Sequence, residues 1–230
     1  MISMDDYFVD RDKTPLNEKG EKDYEAFEAV DNKLLTKQIN DLLEGKVVMA
    51  PIYNFKEGVK EFVKELKLDK DDILLIEGIH ALNPKVLKEI PAKNKFKIYL
   101  SALTELNIDY HNRFPTTDNR LLRRIIRDNR TRGYNVVDTL KVWSNVRRGE
   151  EKHIFPYQDE ADETINTALV YELGVLKTYV EPLLYSVDED SPYYEEAKRL
   201  LNVLRLILPI PSESIPDDSI IREFIGGSCF

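Results

Sequence analysis

The feature that most constrains the fold is a short apolar run, Ile73-Leu-Leu-Ile76, which ends in Glu77-Gly78. A strand that is covered on both faces of a parallel sheet reads as a continuous apolar run rather than as an alternation. Residues 96–100 predict a second strand, and residues 83–90 between the two can supply a crossover helix. The sequence therefore predicts an α/β fold built on a parallel sheet.

Other segments carry the periodicity of helices and strands. Residues 1–8 indicate the end of a strand, and Asp31 is placed to cap a helix that ends at Gly45, with four leucines and Ile39 on one face. Pro51-Ile-Tyr-Asn-Phe55 predicts a short β excursion. Further helices are expected over residues 118–131, 136–146, 173–184 and 194–208, and a last strand over residues 165–170. We therefore expect an α/β domain over residues 1–171, followed by a helical C-terminal extension over residues 172–230 that packs on it.

Composition and charge argue against several classes of protein. The 230 residues are 42% hydrophobic, which is enough for a packed core. No apolar run approaches the roughly 20 residues of a membrane helix, so no membrane partner is expected. The net charge of −9 argues against a general nucleic-acid binder. The single cysteine, Cys229, forms no internal disulfide, and a cytoplasmic protein is the simplest expectation.

Arginines are concentrated in one part of the chain, with seven of them in the 20 residues 113–132. Arg120, Arg123, Arg124 and Arg127 have the spacing that places them on one stripe of a helix. Stacked like charges repel, and a bound anion would relieve the repulsion, for which the forked guanidinium group suits phosphate. The alternative is a solvated face whose arginines pair with acids elsewhere in the chain.

The arginine helix is followed by a short loop, Asn129-Arg-Thr-Arg-Gly-Tyr134. Its glycine would allow it to move, so the sequence predicts a mobile lid that carries Arg130 and Arg132 onto a substrate. These two arginines are therefore further candidates for phosphate contacts.

Acidic residues follow two of the predicted strands, at the edge where open α/β sheets bind ligands. Neighbouring strand residues point to opposite faces, so one of Asp5 and Asp6 is a candidate for the site. Glu77 is a candidate Mg²⁺ ligand, because a carboxylate buried beside an apolar run is costly without a partner. The alternatives are a solvated turn or helix cap at Asp5-Asp6 and a turn-capping acid at Glu77.

Aromatic side chains offer a possible binding surface for a planar ring. Tyr53 and Phe55, beside Pro51, are placed to stack on such a ring, although aromatic residues more often belong to a core. The three histidines, at positions 80, 111 and 153, are scattered in the sequence, and structural roles are expected for them.

Taken together, these segments resemble the uridine kinase and phosphoribulokinase family of P-loop kinases, in a bacterial uridine kinase-like branch. The matching residues stand in the family's order from about Ile2 to Ala168. They are Ser3-Met-Asp-Asp-Tyr-Phe8, Asp31 at a helix start, Pro51–Phe55, the strand that ends in Glu77-Gly78, and Asp118–Asp128 followed by Arg130-Thr-Arg-Gly133.

The resemblance implies a role for each of these residues. Asp5 would be the base that accepts the proton of the nucleoside hydroxyl, and Asp31 would bind the ribose. Tyr53 and Phe55 would hold the nucleoside base, and Glu77 would be associated with Mg²⁺. The arginines would surround the phosphates, with Arg123 and Arg127 at the substrate and Arg124, Arg130 and Arg132 at the phosphates and lid.

Two features of the family do not occur in this sequence. No glycine begins the G-x-x-x-x-G-K-[ST] motif that cradles ATP phosphates, and in the family the first strand and this P-loop come directly before the position of Met1. We therefore expect a fragment or truncated form that lacks them and is inactive by itself. The base-contacting histidine of the family would fall near Gly58, where this chain has no side chain.

The expected function is phosphoryl transfer from ATP, with Mg²⁺, to the 5′-hydroxyl of uridine or cytidine in the complete protein, a step of pyrimidine salvage. A homo-oligomer is expected because members of the family often associate. One alternative is a kinase of another small alcohol, such as pantothenate or ribulose phosphate, on the same fold. The other is a non-catalytic module that uses the arginine helix to bind a nucleotide or another anion.

Overall fold

The computed structural model describes residues 1–18, 20–105 and 107–229. In chain order, the strands are β1 (Ile2–Ser3), β2 (Val48–Asn54), β3 (Val59–Leu66), β4 (Ile76–Glu77), β5 (Ile98–Ser101) and β6 (Glu163–Asn166). The helices are α1 (Asn32–Leu43), α2 (Thr116–Arg127), α3 (Val136–His153), α4 (Glu172–Tyr185), α5 (Tyr194–Leu204) and α6 (Arg222–Ile225). The predicted α/β class is confirmed, since parallel strands are flanked by helices.

The chain folds as two compact units, each with its own hydrophobic core. The N-terminal unit comprises Met1–Tyr99 and Val146–Glu163, and the C-terminal unit comprises Leu100–Asn145 and Thr164–Phe230. The boundary predicted between residues 171 and 172 stays a prediction, and the last residue of that range, Phe230, lies outside the described residues. Across the described ranges, no helix combines the length and the apolar character that crossing a membrane requires.

Helix α1 forms as the sequence predicts. Its N-cap, Asp31, accepts a hydrogen bond from the Leu34 backbone N–H at 3.1 Å. Gly45 follows the helix with a φ of 77°, a left-handed conformation that a residue without Cβ adopts readily. Leu43, at the end of the helix, is exposed. The apolar residues that α1 buries are Leu35, Ile39 and Leu42.

The apolar run is shorter as a strand than the sequence predicts. Only Ile76 and Glu77 form β4, which pairs in parallel with β1 so that Ile2 lies opposite Ile76 and Ser3 opposite Glu77. Burial on both faces is wrong for this segment, because exposure alternates along it and Ile73 is 94% exposed. In the described part of the chain, β1 is the strand that pairs with β4, and β4 ends where this two-residue pairing ends.

The crossover helix predicted over residues 83–90 is wrong, because this segment forms successive turns. Pro84 lacks a backbone N–H, and Leu87 has a φ of 53°, which a right-handed helix does not allow. The second predicted strand is confirmed as β5, which pairs with β6. Strand β6 begins two residues before the predicted start and ends earlier than predicted.

Helices of the C-terminal unit pack around one apolar core. Helices α4 and α5 begin within one residue of their predicted starts, whereas α3 continues seven residues beyond its predicted end at 146. Helix α2 begins at Thr116, two residues before its predicted start, so Asp118 lies within its first turn. The Asp118 carboxylate accepts hydrogen bonds from Nη1 and Nη2 of Arg199 at 2.7 and 2.9 Å, which ties α2 to α5.

A buried ion pair connects α2 to α4. Arg123 is 7% exposed and Glu172 is 1% exposed. Nε and Nη2 of Arg123 donate to the two carboxylate oxygens of Glu172, with an Nη2–Oε2 distance of 2.7 Å. Nη2 also donates to the Thr167 carbonyl at 2.8 Å, and the guanidinium lies 4.9 Å from the ring centroid of Phe224 in α6. One arginine side chain therefore connects α2, α4, α6 and the segment after β6.

Replacing Glu172 with alanine should lower the free energy of unfolding by roughly 3–5 kcal/mol, because Arg123 would keep a buried charge without its partner. Glu213, an exposed acid of the same unit, provides the control, and its change to alanine should alter stability by less than about 0.5 kcal/mol. Urea unfolding followed by circular dichroism measures both variants. Equal losses for the two would contradict the assigned role of the ion pair.

Candidate functional site

The predicted catalytic acid lies in a turn and not on a strand. Strand β1 ends at Ser3, and Asp5 and Asp6 belong to a 3₁₀ turn over Met4–Tyr7, so the inference from alternating strand faces is wrong. Asp6 accepts a hydrogen bond from the Tyr53 backbone N–H at 3.2 Å, which ties the turn to β2. The Asp5 side chain is exposed and is therefore the carboxylate of the pair that a ligand reaches from solvent.

Asp31 combines its cap role with an ion pair. Its Oδ2 lies 2.8 Å from Nζ of Lys60, a lysine whose side chain is only 12% exposed. Burial raises the pKa of the Asp31 carboxyl, but hydrogen bonds from Lys60 and the Leu34 N–H outweigh this effect and hold the pKa below its ordinary value. Lys60 stands opposite Tyr53 in the antiparallel register of β2 and β3, so the ion pair lies beside the predicted aromatic residues.

Four aromatic rings from three segments of the chain form an aromatic cluster, namely Phe8, Tyr24, Tyr53 and Phe55. Ring centroids lie 5.7 Å apart for Phe8 and Tyr53 and 5.1 Å apart for Tyr53 and Phe55, in edge-to-face arrangements. Tyr53 is 5% exposed, and its hydroxyl is buried without a hydrogen-bond partner in the described part of the chain. Phe55 is 61% exposed and Tyr24 is 41% exposed, so Phe55 is the more accessible ring of the cluster.

Sequence patterns did not single out two cations of this region. Lys60 lies on a strand of mostly exposed charged residues, where a lysine carries no special signal. Arg11 lies in a polar segment, yet its guanidinium donates hydrogen bonds to the backbone carbonyls of Phe55 and Lys56 at the tip of the β2–β3 hairpin. Both contacts depend on how distant segments meet, which residue spacing does not reveal.

Glu77 is exposed at the carboxyl end of β4, so the argument from a buried carboxylate is wrong. It lies level with Ser3 of β1, the residue that precedes the Asp5 turn. Mg²⁺ binds oxygen ligands and commonly takes one or two carboxylates together with water and phosphate. The carboxylate and hydroxyl oxygens here fit such an ion, although no three His, Cys, Asp or Glu side chains of the described residues group as a complete metal site.

Three of the four arginines predicted to repel one another, Arg123, Arg124 and Arg127, have acidic partners, so the repulsion argument does not hold for these three. Arg124 Nε and Arg132 Nη1 lie 3.2 and 2.9 Å from the two carboxylate oxygens of Asp128. Asp128 is fully buried and also accepts a hydrogen bond from the Thr139 hydroxyl at 3.3 Å. The predicted lid is therefore a π-helical turn, Asp128–Arg132, organised around one carboxylate. Its movement stays a prediction.

Helix α6 provides partners for two more of these arginines. Nη1 of Arg127 lies 3.1 Å from Oε1 of Glu223. Arg130 donates from Nη2 to the carbonyl of Glu223 at 2.6 Å and from Nε to the carbonyl of Phe224 at 3.0 Å. Together with the Arg123–Glu172 pair, these contacts agree with the alternative in which the arginines pair with acids elsewhere in the chain.

The predicted site residues fall in two groups. Asp5, Asp31, Tyr53, Phe55 and Glu77 belong to the N-terminal unit, in which the hairpin joins Asp31, through Lys60, to the aromatic cluster. The five arginines Arg123, Arg124, Arg127, Arg130 and Arg132 belong to the C-terminal unit.

Two of the three histidines, far apart in sequence, are neighbours in the N-terminal unit. The ring of His80 lies 5.2 Å from that of His153 and 5.5 Å from that of Phe27, between ring centroids. Burial, with a smaller contribution from His153, lowers the pKa of His80 to about 4. A neutral, buried ring of this kind packs like an apolar residue, which suits the structural role expected from the sequence.

Comparison with known proteins identifies relatives of this chain. Residues 2–172 match the phosphoribulokinase / uridine kinase family. A uridine kinase of Clostridium botulinum is 29% identical over 148 residues, which are 64% of this chain and 64% of that protein. Uridine kinases of Staphylococcus epidermidis and Ligilactobacillus salivarius are 28% and 30% identical over 163 and 165 residues, each 70% of this chain, and 70% and 68% of those proteins. The chain thus spans about two thirds of the length of these relatives.

Replacing Lys60 with methionine should raise the pKa of Asp31, because burial would remain while the hydrogen bond from the ammonium group would be lost. In the unaltered chain, the stability from this pair is present above the ordinary Asp31 pKa of 3.8 and is lost as the pH falls through the lowered folded-state value. NMR titration of carboxyl carbons measures the pKa, with Lys64→Met at an exposed position of β3 as the control. An unchanged Asp31 pKa in Lys60→Met would contradict this account.

Proposed function

Because the chain belongs to the phosphoribulokinase / uridine kinase family, we propose that the complete protein transfers a phosphoryl group from ATP to the 5′-hydroxyl of uridine or cytidine. The observation that carries the proposal is the grouping of the Asp31–Lys60 pair with the aromatic cluster, beside the turn that holds Asp5. The polar side of this group, the Asp31–Lys60 pair, suits a sugar, and its flat apolar side, the aromatic cluster, suits a base. Similarity to three uridine kinases supports the same substrate class.

The nucleoside is bound between the carboxylate of Asp31 and the aromatic cluster. Asp31 is ionised at neutral pH, its pKa lying below the ordinary value, and an ionised carboxylate is a strong acceptor for the ribose hydroxyls. The exposed ring of Phe55 provides the stacking surface for the base, and Tyr53 supports it from the core side.

Asp5 acts as the general base of the reaction. Its exposed carboxylate accepts the proton of the 5′-hydroxyl while the hydroxyl oxygen forms a bond to the γ-phosphorus of ATP. The bond from that phosphorus to the oxygen it shares with the β-phosphate breaks, and ADP leaves. The proton then passes from Asp5 to solvent, which restores the carboxylate.

From the family resemblance, we assign phosphate contacts to the arginines of the C-terminal unit. Arg130 and Arg132 are exposed and Arg127 is partly exposed, so these three retain access to a phosphate. Arg123 and Arg124 are held by Glu172 and Asp128, so phosphate contacts from these two require exchange of their partners. They support the helix and turn that present the others.

Mg²⁺, when bound, would offset negative charge on the phosphate oxygens. Glu77 and Ser3 would hold it, since both offer oxygen ligands at the carboxyl ends of adjacent parallel strands. A cytoplasmic location and a homo-oligomeric state are part of the same proposal. The first rests on the single free thiol, Cys229, and the second on the family resemblance.

The proposal is tested by ATP-dependent phosphorylation of uridine and cytidine, assayed in parallel on this chain and on a form extended upstream of Met1. Turnover of either nucleoside supports it. Phosphorylation of pantothenate or ribulose phosphate that free nucleosides do not inhibit would instead identify a kinase of another alcohol. RNA binding with a steep salt dependence and no turnover would identify a binding module.

Replacing Asp5 with asparagine should lower kcat by roughly 10²- to 10⁴-fold, because the amide cannot accept the hydroxyl proton. Nucleoside affinity should stay nearly unchanged, since Asp31 and the aromatic cluster are intact. Steady-state kinetics and calorimetric titration with uridine measure the two effects. Asp12→Asn, at an exposed position of the following turn, is the matched control. Unchanged turnover in Asp5→Asn would exclude the assigned role.

A further inference from the structure

Arg11 holds the tip of the β2–β3 hairpin through three hydrogen bonds. Its guanidinium donates to the backbone carbonyl of Phe55 and, at 3.1 Å, to that of Lys56. Its backbone N–H donates to the carbonyl of Gly58 at 2.8 Å. The turn from Phe55 to Gly58 is thereby fixed, and its first residue carries the exposed ring of the aromatic cluster.

Gly58 shows how closely Arg11 packs against this turn. Its φ is 77°, and a Cβ placed on it would lie 2.7 Å from both Cβ and Nε of Arg11. Such distances are well inside van der Waals contact, so a side chain at position 58 and the observed position of Arg11 exclude each other. The arginine therefore takes up space beside the aromatic cluster that a larger residue at position 58 would occupy.

The guanidinium keeps its positive charge at the edge of the aromatic cluster. The carbonyl acceptors satisfy two of its five N–H groups and bring no negative charge. The charge also reaches Tyr53, because burial raises the pKa of that hydroxyl while Arg11 opposes the increase. The Tyr53 hydroxyl is buried and lacks a partner among the described residues. The Arg11 guanidinium therefore gives this edge of the cluster a positive charge with N–H donors, which suits an acceptor on a ligand.

We propose that Arg11 is a specificity-determining residue of the nucleoside site, which rests on the function proposed above. It fixes the hairpin tip on which the base stacks, and it favours a base whose edge presents a carbonyl oxygen. Uracil carries a carbonyl at the ring position where cytosine carries an amino group. A cationic edge attracts the carbonyl and disfavours the amino donor, so uridine is preferred over cytidine.

The test is calorimetric binding of uridine and of cytidine to the complete protein, which requires no turnover. Arg11→Met should weaken uridine binding about three- to tenfold, the range of one net hydrogen bond, and bring the uridine-to-cytidine affinity ratio close to one. Arg11→Lys keeps the charge but not the forked guanidinium, so it should weaken the binding of both nucleosides and preserve most of the uridine-to-cytidine affinity ratio. Lys13→Met removes an exposed cation two residues away and should change neither affinity.

Arg11→Gln is a second neutral variant that keeps an N–H donor for one carbonyl, and it should lose the preference even if Arg11→Met fails to fold. An unchanged ratio in the neutral variants would overturn the inference. So would tighter binding of cytidine, or binding of neither nucleoside, by the unaltered protein. If uridine is bound preferentially through Arg11 but never phosphorylated, the proposed function fails and the specificity role stands. If both nucleosides are phosphorylated and the uridine-to-cytidine affinity ratio does not depend on Arg11, the specificity role fails and the proposed function stands.

Discussion

The architecture of the C-terminal unit depends on the buried ion pair between Arg123 and Glu172. A carboxylate this deeply buried is tolerated because several donors satisfy it, including the Asn119 amide at 3.1 Å and the Leu169 backbone N–H at 3.0 Å. These donors come from α2 and from the segment before α4, so the pair fixes how the two helices meet. Through its stacking on Phe224, Arg123 also links the family region, which ends at residue 172, to a helix of the extension.

Elements governed by short-range chemistry could be predicted from the sequence, whereas burial could not. Asp31 and Gly45 determine the ends of α1 by capping and by backbone freedom, and both effects act within a few residues. The apolar run at Ile73 misled because burial on both faces depends on which elements cover a strand and not on the strand itself. The positive φ of Leu87, which ends any helix there, has no counterpart in residue type.

In the candidate site too, features set by residue type and spacing could be predicted from the sequence, whereas contacts between distant segments could not. Spacing placed the arginines on a shared helix, but their partners Glu172 and Glu223 lie 49 and 96 positions away from Arg123 and Arg127. Arg11 was missed for a related reason, because its acceptors are backbone carbonyls, which every residue carries. The resemblance to a family identified Asp31 and the hairpin aromatics as a group, and the Lys60 ion pair supplies a physical link between them.

The kind of partner that holds an arginine determines how readily it can bind phosphate. A carboxylate paired with a guanidinium offsets its positive charge and repels an incoming phosphate. A guanidinium held by carbonyls keeps its net charge and leaves other N–H groups for a ligand. Arg132 belongs to the first class and Arg130 to the second, because the acceptors of Arg130 are the carbonyls of Glu223 and Phe224. In the proposed reaction, Arg130 is therefore the lid arginine that binds phosphate with the least rearrangement, and α6 is the element that holds it ready.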